Sequence, residues 1–143
     1  MTAFRWHVLL AEDNPADILV VREALSNEQI ECDLRIFEDG EEVIKAIDQL
    51  DADSTIPCPD LLLLDLHLPK RDGEEIIRHL RGSCRCGKMP VIVLTASMSP
   101  HHRETAERNA VLHYFQKSPN IESYLAIGPL VKEVLVSTAG EAP

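Results

Sequence analysis

Glu12, Asp13, Asp65, Thr95 and Lys117 are, by type and position, the residues of this chain best suited to chemistry. Each follows or closes an apolar run: Val8–Ala11 before the two acids, Leu61–Leu64 before Asp65, Pro90–Leu94 before Thr95, and Val111–Gln116 before Lys117. If those runs are parallel strands, all five side chains gather at one carboxyl edge, where open α/β sheets bind ligands and react. Three carboxylates converging there repel one another unless a hard cation joins them. Mg²⁺ takes oxygen ligands and keeps several waters, so two or three acids suffice. A hydroxyl and an ammonium opposite can hold phosphoryl oxygens. Carboxylate nucleophile, metal, hydroxyl and lysine together describe aspartyl-phosphate chemistry. Taken alone, Asp65 reads equally as a turn former or helix cap, Glu12-Asp13 as a charged turn, Thr95 as an ordinary strand end and Lys117 as a solvated loop residue. The set favours the reacting role.

The elements that must position this set can be read from periodicity. Leu61-Leu62-Leu63-Leu64-Asp65-Leu66-His67-Leu68-Pro69 is an almost unbroken leucine run bounded by prolines, the pattern of a strand buried on both faces in the middle of a parallel sheet. Asn14-Pro15 starts a helix with a cap and a first-turn proline, and Ile18, Val21 and Leu25 recur at helical spacing to about Asn27. Asp33–Phe37 is a second strand, with Leu34 and Ile36 on one side and Phe37 on the other. Asp39-Gly40 turns the chain into a second helix whose stripe is Val43, Ile44, Ile47 and Leu50. Asp72-Gly73 opens a third helix, from about Glu74 to Arg81, which buries Ile76, Ile77 and Leu80 and stops at Gly82. Ser99-Pro100 opens a fourth to about Asn109, so polar that Ala106 and Ala110 are almost its only apolar residues, and it should be the least firmly packed. The last helix runs from about Ile121 to Val136 on Leu125, Val131 and Leu135, with a kink or break near Gly128 because Pro129 removes a hydrogen bond. Strand-helix alternation throughout implies one doubly wound parallel sheet with helices on both faces and right-handed crossovers.

Composition bounds the function classes. The chain has 143 residues, 45% hydrophobic and 27% charged, which suits one soluble domain. No apolar stretch approaches the ~18 residues of a membrane span, and the amino terminus lacks a signal-peptide layout; the expectation is a cytoplasmic protein. A net charge of −10 disfavours direct contact with nucleic acid. With 6 glycines and no G-x-x-x-x-G-K, nothing cradles a nucleotide.

These residues, taken together, strongly resemble the receiver domain of two-component response regulators. The resemblance rests on the acidic pair Glu12-Asp13, the D-x-x-x-P from Asp65 to Pro69, Asp72-Gly73, Thr95-Ala96 and the distal Lys117, and covers nearly the whole chain. The stretches Glu12–Asp17 and Asp65–Gly73 look like the stand-alone subgroup partnered with phytochrome-type histidine kinases. The resemblance implies a flavodoxin-like fold of five parallel strands in the order 2-1-3-4-5 with five helices, a single receiver domain over 1–143 with its core at about 7–136, a soft tail from Ser137 to Pro143, and no output domain. It also implies roles. Asp65 accepts a phosphoryl group from a histidine kinase or phosphotransfer protein. Asp13 binds Mg²⁺ directly, with Glu12, Asp65 and the backbone carbonyl of His67 completing the ligands. Lys117, Thr95 and Ala96 contact the phosphoryl group, and Thr95 with Tyr114 forms the switch. The fourth helix, fifth strand and fifth helix become a docking surface for a target protein or a second copy. Beyond its own phosphorylation and dephosphorylation, the chain would not be an enzyme.

The sequence also departs from the family. Ser118 stands between Lys117 and Pro119 where proline usually follows the lysine, and a cis bond before serine would be costly. His67 and Ser97 occupy positions that bear on phosphate lifetime. His79, His101 and His102 read as solvated helix residues, and Trp6 as cover for a core edge. Of the four cysteines, Cys84-Arg85-Cys86 has metal-ligand flavour and Cys58 could lie near it, but two well-formed ligand pairs are missing and free thiols are expected. Two rival classes remain: a receiver-like docking module that works without phosphate, and a dehalogenase-type Mg²⁺ phosphatase, which needs a second acid where His67 stands.

Overall fold

The computed structural model describes residues 5–96 and 99–140, the side chains at 102, 105, 106, 139 and 140 excepted. Its centre is strand β3 (Leu61–Asp65), buried at every position. Parallel neighbours flank it: β1 (Trp6–Ala11), then β2 (Cys32–Phe37) on one side, β4 (Val91–Thr95), then β5 (His113–Gln116) on the other, giving the order β2-β1-β3-β4-β5. The leucine run divides between two cores because successive strand side chains point to opposite faces. Leu62 and Leu64 join Leu9, Phe37, Val91 and Val93 beneath helices α2 (Gly40–Ala52) and α3 (Gly73–Arg81). Leu61 and Leu63 join Val8, Leu10, Ile92 and Leu94 on the other face, beneath α1 (Pro15–Asn27), α5 (Ile121–Leu125) and α6 (Ile127–Gly140). Each fully buried leucine contributes about 1.5–3 kcal/mol, an upper estimate, so these four supply a large share of what fixes the sheet.

The helices that follow strands begin at the carboxyl edge, and an Asx side chain starts each of four. Asn14 accepts from the amides of Ala16 (2.8 Å) and Asp17 (3.3 Å), Asp39 from Glu42 (2.9 Å), Asp72 from Glu75 (2.9 Å) and Asn120 from Ser123 (3.1 Å). These caps satisfy amides that have no intrahelical partner. Gly73 is needed for close approach: a Cβ there would stand 2.8 Å from the Cα of Leu66, next to Asp65. Its amide donates to the Leu66 carbonyl at 3.2 Å, which folds the loop after β3 tightly under the edge.

Two expectations need correcting, whereas the break expected near Gly128 in the last helix is present: that helix is two segments, so six helical segments replace five. The interruption falls at Ala126, and Pro129 then sits in the first turn of α6, where its missing N–H costs little. Gly128 lies against α1, where a Cβ would come 2.5 Å from the Ala24 carbonyl oxygen; Tyr124 is buried there while Leu125 is only partly so. The chain from Ser137 continues as helix to Gly140 instead of a soft tail. Finally, Cys58 and Cys86 form a disulfide, with only Cys32 and Cys84 as free thiols. Parallel pairing of β3 with β4 puts the loops that enter them side by side, so residues 28 apart in sequence come to a Cα separation of 5.7 Å. Helix α4 (Pro100–Arg108) agrees with its polar sequence, since none of its described side chains is buried; Ala106 and Ser97 lie outside the residues described in full. Trp6 packs partly buried against the second core.

Candidate functional site

Register brings the five chemical residues together. Ala11 pairs with Leu64, so Glu12 stands level with Asp65; Asp65 pairs with Leu94, so Thr95 projects one step beyond; Thr95 pairs with Gln116, leaving Lys117 at the rim. The backbone fixes the ends: the Glu12 amide donates to the Phe37 carbonyl at 2.9 Å, and the Lys117 amide to the Thr95 carbonyl at 2.7 Å. Carboxylate oxygens of Glu12, Asp13 and Asp65 lie within 4.8 Å of one another, with Glu12 and Asp65 buried and Asp13 open to solvent. The His67 amide donates to Asp65 Oδ1 at 2.9 Å, leaving Oδ2 to face the lysine.

Lys117 is the hub of the site. Its Nζ donates to Glu12 Oε2 at 2.6 Å, Asp17 Oδ2 at 3.0 Å and Asp65 Oδ2 at 3.2 Å. Burial disfavours the ammonium, but its hydrogen bonds to Glu12 and Asp17 and the charges of Glu12 and Asp65 outweigh it and hold the lysine above its usual range. Glu12 shows the other side of the imbalance. Burial pushes its carboxyl up to about 7, reinforced by the charge of Asp65 and opposed by the Lys117 hydrogen bond. One ammonium among four carboxylates leaves the cluster net negative. Hard oxygen donors, a raised buried acid and one solvent-facing carboxylate fit a divalent cation that retains water.

Asp17 escaped the reading of the sequence as a site residue. The signal was present: three residues after the capping Asn14, it lies on the first turn of a helix that starts at the carboxyl edge. By sequence alone it is a first-turn acid favoured by the helix dipole. Thr95 is fully buried, with Ala96 exposed just beyond it. The Tyr114 hydroxyl is itself removed from solvent; burial pushes its pKa up, and the neighbouring Thr95 hydroxyl opposes that shift. Tyr114 is itself half-buried, packed against the core beneath α2 and α3. Lys117-Ser118-Pro119 follows with trans peptide bonds, since the described chain has no cis bond. His79 Nε2 meets Asp48 at 2.8 Å and His101 Nε2 meets Glu74 at 3.0 Å, so these two histidines carry surface ion pairs when protonated. Among the described residues, the acidic trio is the one grouping with metal-ligand geometry, and the cysteines form none.

Comparison with known proteins agrees with this geometry. The sequence model of the response regulator receiver domain matches residues 8–127. Response regulator Rcp1 of Synechocystis sp. is 35% identical over 118 residues, which cover 80% of this chain and 78% of that one. Among solved structures, the phosphorylated cyanobacterial phytochrome response regulator RcpA superimposes with a TM-score of 0.83 at 31% identity, covering 94% of this chain and 96% of the other. The Mn²⁺-bound form of response regulator Rcp1 gives a TM-score of 0.79 at 30% identity, covering 90% and 92%.

Proposed function

Because the chain belongs to the response regulator receiver family, we propose that residues 1–143 form one receiver domain with a core at about 7–136, whose phosphoacceptor is Asp65. The family consists of two-component regulators rather than conventional enzymes, they bind a divalent metal in an acidic pocket, and their phosphoryl donor is a histidine kinase. The finer statements are the proposal: Mg²⁺ as the metal, a phytochrome-type kinase as the donor, a cytoplasmic location, and self-catalysed phosphorylation and dephosphorylation as the chain's own chemistry. The subgroup choice is supported by the likeness to RcpA and Rcp1. Family membership also removes the basis for the dehalogenase-type reading.

The observation that carries the proposal is the Lys117 ammonium spanning Glu12 and Asp65, with Asp13 completing the acidic trio. An Asp65 carboxylate oxygen attacks phosphorus of a phosphohistidine. The P–O bond forms as the P–N bond breaks, and the imidazole nitrogen keeps the electron pair. The Asp65 Oδ1 already held by the His67 amide leaves Oδ2 as the nucleophile. Held by Glu12, Asp13, Asp65 and the His67 carbonyl, Mg²⁺ would offset charge on the phosphoryl oxygens. Transfer adds about −1.5 to −2 of charge. Lys117 shifts from its carboxylates toward that charge, and the Thr95 hydroxyl and Ala96 amide hold phosphoryl oxygens. Thr95 moving toward them, with Tyr114 following, biases the weakly packed α4 and β5 between two populations. The α4-β5-α5 face then binds a downstream target protein or a second copy of the chain.

Intact mass after incubation with Mg²⁺ and acetyl phosphate tests this directly. One phosphate on the wild type, lost in Asp65→Asn and when the metal is chelated, is the expected result. No adduct, together with no beryllofluoride binding, would point to a docking module that works without phosphate. Unchanged amide exchange between residues 99 and 117 on phosphorylation would refute the switch while leaving the acceptor intact.

A further inference from the structure

The opposite edge of the sheet holds a second, unrelated arrangement. The Cys58–Cys86 disulfide joins the loop before β3 to the loop between α3 and β4. Cys86 is buried, Cys58 half-buried, and both pack against the core beneath α2 and α3. Two arginines extend from either side of the bridged loop. Arg85 donates to the carbonyls of Leu50, Asp53 (3.0 Å) and Ile56 (2.6 Å), closing the carboxyl end of α2. Arg81 donates to the carbonyls of Gly87 (3.1 Å) and Met89 (2.7 Å) within the loop, and to Asn109 (2.7 Å) and Ala110 (3.1 Å) at the carboxyl end of α4. Asp51 adds a third tie, accepting from the Ser83 hydroxyl at 2.5 Å and from the Arg85 amide at 3.4 Å.

We propose that Cys58 and Cys86 are a reversible thiol–disulfide pair, and that their state sets how firmly the loop at residues 83–89 anchors the carboxyl end of α4. The reasons are physical. A protein that signals inside a cell meets a thiol-reducing medium, where disulfides that form are characteristically transient and redox-sensing. For that compartment the inference rests on the receiver reading. Cys58, the less buried partner of the bridge, gives a dithiol reductant its point of attack. Its thiolate bonds to Cys58 Sγ as the S–S bond breaks, and Cys86 leaves as a thiolate and takes up a proton. The reductant's second thiol then attacks its own sulfur in the mixed disulfide and releases Cys58, so the reductant ends as a disulfide and the protein as two thiols. A low-molecular-weight disulfide runs the sequence backwards. Because the Cys86 thiol is a small buried hydrophobe in either state, reduction leaves the core filled. What is lost is the covalent tie between the loops. The α4 end is tied to this loop by Arg81, which bonds the carbonyls of Asn109 and Ala110 as well as those of Gly87 and Met89, so a freed loop loosens the arginine that supports α4.

Thiol counting on the native wild-type chain tests the pair without any phosphate. The protein is equilibrated with graded ratios of reduced to oxidised glutathione, or with dithiothreitol, then denatured, alkylated and weighed. The expected result is two alkyl groups at the oxidising end and four at the reducing end, from four cysteines of which two are free in the oxidised form. Four at every ratio would overturn the proposal, because no disulfide forms. Two even in excess dithiothreitol on the folded protein would also overturn it, because the bond is then a fixed crosslink. Amide exchange of the unphosphorylated protein supplies the second readout: roughly tenfold faster exchange at residues 109–112 in the reduced form, an opening free-energy change of about 1.4 kcal/mol. Equal exchange in the two forms would sever the link to α4. A Cys58→Ser, Cys86→Ser variant that matches the reduced form in exchange, with unchanged acetyl phosphate labelling, separates this result from failure at Asp65.

Discussion

The two edges of the sheet handle charge in opposite ways. At the carboxyl edge, Glu12, Asp17 and Asp65 share one ammonium with Asp13 beside them, and burial raises Glu12 because its charge is not fully met. At the amino edge, Arg81 and Arg85 donate to carbonyls of the surrounding loops and helix ends, so the cations there are matched by backbone acceptors. One edge is held ready for a cation and a phosphoryl group; the other is closed by its own hydrogen bonds. Removing a charge should therefore change stability in opposite directions at the two edges.

The largest expected effect is at the closed edge. Arg81→Ala leaves four carbonyls without their donor and should lower unfolding free energy by about 2–4 kcal/mol in urea titration. A loss below about 0.5 kcal/mol would mean that water replaces the arginine freely, which would erase the contrast.

pH sharpens the comparison next. The Glu12 carboxyl stands at about 7 in the folded, metal-free chain against 4.5 when unperturbed. Between those values the folded state binds more protons than the unfolded state, so stability should fall as pH rises from 4.5 to 7 and level off above. Mg²⁺ needs the ionised carboxylate, so its affinity should rise by roughly tenfold per pH unit below 7 and flatten above it, as read by calorimetric titration. An affinity independent of pH between 5.5 and 7 would show that Glu12 stays ionised, held so by Lys117.

Glu12→Gln should then stabilise the metal-free protein by about 1 kcal/mol, since it removes a buried charge beside Asp65 while leaving Lys117 two carboxylates. The same variant should bind Mg²⁺ more weakly. The smallest effect is expected at Ala110, which follows α4 in the left-handed region at φ 56°. Glycine fits that position without strain, so Ala110→Gly should add about 0.5–1 kcal/mol and tighten the end of α4 that Arg81 holds.

The alternation of strands and helices, the cap at Asn14 and the gathering of Glu12, Asp13, Asp65, Thr95 and Lys117 were legible in the sequence, while the strand order followed from the family resemblance, and Asp39 and Asp72, read there as turns, prove to be caps as well. The legible features depend on local patterns: apolar runs with a polar end, and an Asx residue ahead of a helical period. Those patterns encode which face of each element is buried, and the parallel sheet then has few ways to assemble. Tertiary structure alone decided the rest. Asp17 reaches Lys117 across a separation of 100 residues because α1 packs over the edge on which Lys117 ends. Gly128 serves the contact of α6 with α1 as well as neighbouring the helix break. The Cys58–Cys86 pair contradicted the expectation of free thiols because spacing in sequence carries no record of which loops adjoin. Adjacency of β3 and β4 sets that distance, and the pairing of strands is a property of the whole sheet rather than of either loop.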